Sequence, residues 1–259
     1  MAAIIPIPAL GDNYIWLLRK GSHAVVVDPG DPIAVQEVLE RERLVLAAIL
    51  VTHHHGDHVA GVIDLLADRS VPVLGPARER IPGRTRALCG GDLACVPELG
   101  LELAVLDVPG HTAGHIAFAG TVAGASVAFV GDTLFAGGCG RLFEGTPAEM
   151  AASLARLAAL PPATRVYCAH EYTLANLRFA RAVEPGNEAL AARQLDAAAT
   201  RDRGLPTVPS RIADELATNP FLRTHVPAVV AAAEAHAGRP LPDPVAVFAE
   251  LREWKNAFR

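Results

Sequence analysis

The run Thr52-His53-His54-His55-Gly56-Asp57-His58 follows directly on the apolar segment Ala47–Val51, and it constrains the chain more than any other feature. A short apolar run bounded by turn residues reads as a buried strand, so the histidines begin at a strand end. His53 and His55 are two apart, and in extended backbone they point the same way. Asp57 and His58 begin the next helix, where the chain has turned. One short loop thus offers two imidazoles in one direction and a carboxylate with an imidazole in another. That geometry suits two neighbouring metal ions.

Three more donors occupy equivalent places. His111 follows the strand Leu103–Val108, Asp132 follows Val127–Val130, and His170 follows Arg165–Cys168. If these strands lie in packed sheets, their ends converge on one edge, where loops build sites on a rigid scaffold. A single His or Asp at a strand end is usually a satisfied turn residue. A set of this size is not, because unpaired polar groups near a core are costly. Imidazole and carboxylate donors without thiolate indicate zinc, with iron or manganese as substitutes. Open coordination positions favour catalysis, since structural zinc is closed by four protein ligands. His23, His54, His115, His225 and His236 receive no ligand role; His54 is expected to point away from its neighbours and His115 to hydrogen-bond within its turn.

The elements around these donors read as an α/β body. Ile4–Ile7, Tyr14–Leu18, Ala24–Val27, Leu44–Val51, Val71–Leu74, Leu103–Val108 and Arg165–Cys168 are expected strands. The apolar stretch Ile116–Val130 is too short to span a membrane and carries Gly120 and Gly124, so it reads as two strands and a turn. Helices are expected over Ile33–Arg43, with Val35, Val38 and Leu39 on one face, over Val59–Leu66, and over Pro147–Leu160, capped by Thr146. Strand signals vanish after about residue 171. Helices are then expected near Leu174–Ala182, Glu188–Arg203, Arg211–Ala217, Ala228–Ala237 and Pro244–Ala257. The predicted organisation is an α/β domain over residues 1–171 and a helical domain over 172–259.

Composition narrows the function. The chain has 259 residues, 51% of them hydrophobic, enough for a sizeable core without disulfides. A net charge of −5 with no basic run argues against a nucleic-acid partner. Cys89, Cys95, Cys139 and Cys168 form no C-x-x-C pair and read as reduced thiols. No signal-peptide pattern opens the sequence. A cytoplasmic, monomeric protein with no membrane partner is expected.

The string H-x-H-x-D-H with a distant His, Asp and His resembles the metallo-β-lactamase superfamily. The resemblance implies a four-layer αββα sandwich with metals at one sheet edge. It implies His53, His55 and His111 on one metal, Asp57, His58 and His170 on the other, and Asp132 bridging both. Thr52-His53-His54-His55, Gly131-Asp132-Thr133-Leu134-Phe135, Gly138-Cys139-Gly140-Arg141, Phe143-Glu144-Gly145-Thr146, Tyr167-Cys168-Ala169-His170-Glu171-Tyr172 and Asn219-Pro220-Phe221-Leu222-Arg223 narrow the match. So do Glu184-Pro185-Gly186-Asn187, Pro206-Thr207-Val208-Pro209-Ser210 and Leu251-Arg252-Glu253-Trp254-Lys255. These resemble the glyoxalase II family, whose helical tail sets it apart from most of its superfamily. That resemblance implies two Zn2+ per chain and hydrolysis of S-D-lactoylglutathione and related S-2-hydroxyacylglutathiones, the second step of methylglyoxal detoxification. Asp57 and Asp132 are the expected catalytic carboxylates, acting with a water bridging the metals.

By motif position, Arg141, Phe143, Tyr172, Arg252 and Lys255 are the expected glutathione contacts. Arg252 and Lys255 are three apart on the last expected helix and share a face, which suits the carboxylates of a tripeptide. The family often has Lys at position 141 and Tyr at 143. Arg141 keeps the charge and changes the donor geometry; Phe143 forgoes a hydrogen bond worth about 1 kcal/mol. The competing readings are a one-iron dioxygenase acting on glutathione persulfide and a non-catalytic metal-binding protein.

Overall fold

The computed structural model describes residues 2–258. Strands β1 (Ala2–Ala9), β2 (Asn13–Lys20) and β3 (His23–Val27) form an antiparallel meander. Helix α1 (Pro32–Arg41) leads to β4 (Val45–Leu50), short helices α2 (Gly56–Val59) and α3 (Val62–Leu66), and strands β5 (Val73–Pro76) and β6 (Arg86–Leu88). The first sheet runs β1-β2-β3-β4-β5-β6, turning parallel from β3 onward. Strands β3 and β4 are almost wholly apolar because a parallel centre is covered on both faces. Helix α1 starts cleanly: the Asp31 carboxylate accepts from the Ile33 and Ala34 amides and Pro32 takes the first position. It buries Val35, Val38 and Leu39, the expected face, in a cluster with Ile15, Leu17 and Ile49.

Next come β7 (Leu93–Val96), β8 (Leu101–Asp107), β9 (Ile116–Val122), β10 (Ala125–Gly131), β11 (Leu134–Phe135), β12 (Gly138–Cys139), helix α4 (Pro147–Ala158) and β13 (Arg165–Cys168). The remainder is α5 (Thr173–Val183), α6 (Glu188–Asp202), β14 (Ser210–Arg211), α7 (Ile212–Thr218), α8 (Pro227–Ala237) and α9 (Pro244–Ala257). The second sheet runs β14-β13-β10-β9-β8-β7. The apolar stretch 116–130 is the hairpin β9–β10, as its glycines predicted.

The chain forms two compact, interleaved units. The first comprises residues 1–107, 112–131 and 167–170; the second comprises 108–111, 132–166 and 171–259. In the first unit, Trp16 of β2 meets Tyr167 edge-on at 4.8 Å, and its indole N–H donates to the Cys168 carbonyl at 2.9 Å. In the second unit, Phe179, Phe221, Phe248 and Trp254 pack ring on ring from α5 to α9. Buried Glu215 of α7 accepts from the Gly137 amide at 2.8 Å and from Arg193 at 2.5 Å. Asn219 donates to the Gly138 carbonyl at 2.9 Å. These bonds tie the helical segment to the β11–β12 hairpin.

Several expectations need correction. Residues 59–66 are two helical pieces broken at Ala60–Gly61, where Gly61 packs against Pro29 and Pro32 without room for a Cβ. Strands do not vanish after 171: β14 pairs with Arg165 and Val166 of β13, a tertiary pairing without local signal. Strands β6, β7, β11 and β12 were also not expected; each has at most four residues and no sustained apolar run. All four cysteines are free thiols.

Candidate functional site

In the first unit the loop after β4 is pinned by Asp28, which ends β3 with a left-handed backbone (φ 54°). Its carboxylate accepts from the Thr52 amide and hydroxyl, both at 2.7 Å. Asp28 Oδ2, the oxygen that accepts from the Thr52 hydroxyl, also lies 3.1 Å from His58 Nδ1. Gly30 is required here, since a Cβ would sit 1.8 Å from the Asp57 carbonyl oxygen. The loop is therefore held at both ends.

The loop gathers its donors tightly. His53 Nε2 and His55 Nδ1 are 3.1 Å apart, and the His53 and His58 rings are 4.0 Å apart. His170, at the end of β13, brings Nε2 to 3.4 Å from Asp57 Oδ2, while His58 Nε2 lies 3.5 Å from the same oxygen. The donor atoms of Asp57, His58 and His170 all lie within 4.8 Å of one another. Two imidazoles and a carboxylate at that spacing, with no thiolate, fit a divalent cation such as zinc, iron or manganese. Burial alone would raise the Asp57 pKa, but hydrogen bonds from His170, His58 and Asn13, with the His58 charge, hold it far below the usual carboxylate range. His54 turns aside, as expected, to Glu79 at 2.9 Å, and His115 stacks on His53 at 4.5 Å.

In the second unit, Asp132 and His111 meet at 3.3 Å (Oδ2 to Nε2). His111 Nδ1 donates to the Arg141 carbonyl at 2.8 Å, which fixes the ring. Gly140 permits a close backbone crossing, since a Cβ there would lie 1.9 Å from the Asp132 carbonyl oxygen. His111 and Asp132 line a cavity of about 480 Å3. Arg141, Phe143, Tyr172, Arg252 and Lys255 line the same cavity. All five residues expected to contact a tripeptide thus share one space, drawn from the segment after β12, the start of α5 and the last helix.

The cavity is cationic. Arg252 is 5% exposed; it donates to the Cys139 carbonyl at 2.9 Å, lies 5.1 Å over the Phe221 ring, and keeps a buried Nε without a hydrogen-bond partner. Burial lowers the Lys255 pKa, and the charges of Arg252, Arg178 and Arg141 lower it further. Burial raises the Cys139 thiol, with Arg252 and Lys255 pulling it back only in part. Phe143 is mostly exposed at the rim.

Sequence reading missed Asp12, Asn13, Asp28, Glu79 and Arg178. Asp28 carried a usable signal, because it follows an apolar strand as the other donors do. Arg178 sits one turn beyond Ala175, a cavity-lining residue of α5. Asp12, Asn13 and Glu79 act through contacts between distant segments that spacing does not reveal.

The family models divide the chain between them. Residues 9–170 match the metallo-beta-lactamase superfamily, and residues 171–258 match the hydroxyacylglutathione hydrolase C-terminus. A hydroxyacylglutathione hydrolase of Alkalilimnicola ehrlichii is 61% identical over 99% of both chains. One from Cupriavidus taiwanensis is 56% identical over the whole of both. Among solved structures, ETHE1 from Myxococcus xanthus aligns over the whole of both chains at 22% identity and a TM-score of 0.65. TTHA1623 in a di-iron-bound form is 34% identical over 65% of this chain and 91% of its own, with a TM-score of 0.53. The mixed sheets and helices are the metallo-β-lactamase fold, extended by a helical C-terminal region, as the motifs implied. The chain belongs to the hydroxyacylglutathione hydrolase family of the metallo-β-lactamase superfamily.

Proposed function

We propose that this protein hydrolyses S-D-lactoylglutathione and other S-2-hydroxyacylglutathiones to glutathione and the 2-hydroxy acid. The observation that carries the reading is the cationic cavity, which presents His111 and Asp132 together with Arg141, Arg252 and Lys255. A glutathione thioester has carboxylates for such cations and a carbonyl for a metal-ligating end. The relatives named hydroxyacylglutathione hydrolase support the same substrate class.

In this proposal His53, His55 and His111 would hold one Zn2+, Asp57, His58 and His170 would hold a second, and Asp132 would contribute to both. The di-iron form of the TTHA1623 relative supports a pair of ions and allows iron here. Such ions supply an acidified water and polarise the scissile carbonyl. The chain's own residues do the rest. Asp57, held ionised by its imidazole and amide neighbours, keeps the charge needed to retain a cation. Arg141, Arg252 and Lys255 bind the peptide carboxylates, and Phe143 and Tyr172 flank the peptide. The leaving thiol has an ordinary pKa of about 8.5 and departs as thiolate without a general acid. Cys139 stays a protonated thiol and takes no nucleophilic part.

The domain roles follow: residues 1–171 carry all seven proposed metal donors, and 172–259 supply Tyr172, Arg252 and Lys255 to the peptide grip. The four free cysteines fit a reducing compartment, and a cytoplasmic monomer is part of the proposal. Incubating the purified enzyme with S-D-lactoylglutathione, and separately with glutathione persulfide under oxygen, tests the reading. Loss of thioester absorbance with no oxygen uptake is expected; oxygen uptake without thioester cleavage would replace it with the dioxygenase.

A further inference from the structure

We propose that the turn between β1 and β2 is a positioning device for one metal position alone: Asp12 and Asn13 set the aim of His170 and Asp57 and so govern the affinity of the Asp57/His58/His170 position. The inference rests on the ligand assignment proposed above.

Each member of the turn makes a specific contact. The His170 Nδ1–H donates to Asp12 Oδ1 at 2.9 Å, which leaves Nε2 directed at Asp57. Asn13 Nδ2 donates to Asp57 Oδ2 at 3.0 Å. That oxygen has two lone pairs, so an amide on one leaves the other for a cation. The backbone fixes the turn in place: the Tyr14 amide donates to the Ala169 carbonyl at 2.7 Å, and Asn13 and His170 form an antiparallel bridge. The hairpin closes tightly, with Ala9 opposite Asn13 and both Leu10 (φ 50°) and Gly11 (φ 92°) in left-handed conformation. A leucine there is strained, and strain persists where surrounding contacts over-determine it.

The supporting groups differ between the two positions. Behind His170 stands the Asp12 carboxylate, and Asp28 faces His58 Nδ1 at 3.1 Å. Against His53 Nδ1 stands the neutral Thr52 hydroxyl at 3.1 Å, and His111 donates to a neutral carbonyl. A carboxylate on the far nitrogen raises imidazole basicity and locks its tautomer, and losing it typically costs 10- to 100-fold in metal affinity. The Asp57/His58/His170 position is therefore the tighter one, and Asp12 is its adjustable member. The Asp12 side chain is half exposed, so water can take its place against the His170 Nδ1–H when it is removed.

The test is stepwise zinc affinity by competition with a chromophoric chelator, on the full chain stripped of metal and titrated. The variants are Asp12→Ala, Asp12→Asn and Asn13→Ala. The wild type is expected to take two ions in separable steps. Asp12→Ala should weaken the tighter step by about 10- to 100-fold, with the weaker step unmoved and the thermal midpoint of the stripped protein unchanged. Asp12→Asn, which keeps an acceptor and loses the charge, should fall between. Two ions bound with both steps unchanged in Asp12→Ala, or both weakened alike, would overturn the inference while leaving the ligand assignment intact. A wild type that takes fewer than two ions would overturn both.

Discussion

The histidine loop and the cationic cavity solve the problem of gathering like-acting groups in opposite ways. The loop draws His53, His55, Asp57 and His58 from one short stretch, and adds His170 from the end of β13. The cavity draws Arg141, Tyr172, Arg252 and Lys255 from across the second half of the chain. The loop and His170 are backed by the carboxylates Asp28 and Asp12. The cavity concentrates cations: burial, and then the charges of Arg252, Arg178 and Arg141, lower the Lys255 pKa, and an anionic ligand relieves the repulsion. A site built from neighbours in sequence is fixed by local geometry; one built from distant segments depends on the whole fold.

If the two regions have these separate duties, substitutions should separate in kind as well as size. Asp132→Ala should have the largest effect, a fall in kcat of about 10³-fold, because polarisation at the metals supplies several kcal/mol; metal content measured beside steady-state kinetics checks it. Near-normal turnover would remove Asp132 from the chemistry. Arg252→Ala with Lys255→Ala should come next, raising KM by about 30-fold, or about 2 kcal/mol of charge-assisted hydrogen bonding, with little change in kcat. A fall confined to kcat would mean the cavity does not hold the remote end of the substrate.

The scaffold beneath the cavity should show in stability instead. Burial raises the Glu184 pKa, but hydrogen bonds from Arg223 and Asn187 and the Arg223 charge more than reverse it. Its folded pKa is thus below the unfolded value near 4.3. The stabilisation is fully present above the unfolded value and is lost as pH falls through the folded one. Glu184→Gln should cost about 1–2 kcal/mol near neutrality and flatten the acid limb of a denaturation-midpoint profile against pH. An unchanged acid limb would count against the pair.

Two smaller effects sharpen the contrast. Lys255, lowered by burial and by its cationic neighbours, loses its proton below the usual lysine range. KM should therefore rise on the alkaline side before the ordinary lysine pKa of about 10.4 is reached, and Lys255→Gln should abolish that rise. Phe143→Tyr should lower KM by about fivefold, the value of one recovered hydrogen bond. No change would place the exposed Phe143 ring out of the ligand's reach.

How far the sequence could be read follows the same division. The first sheet apart from β6, helices α1, α4 and α9 and the donors at strand ends were legible, because apolar period, N-caps and turn residues are local signals. Thr146 is one such signal, the N-cap of α4 as expected, and it forms a reciprocal capping box with Glu149 that was not read from the sequence. The cavity residues were legible only through family motifs, since nothing local in Arg141 or Arg252 says they share a space. The unforeseen strands exist only through their partners. Asp12 lies between the expected strands Ile4–Ile7 and Tyr14–Leu18, yet its bond to His170 spans 158 residues, beyond what spacing can show.

Turnover of S-D-lactoylglutathione measured against metal ions bound per chain tests the central claim most directly. The account predicts hydrolysis that rises to its full rate as the second ion binds, with both ions lost on chelation and activity restored on reloading. Full hydrolysis with a single ion, or a chain holding two ions that cleaves no glutathione thioester, would contradict it.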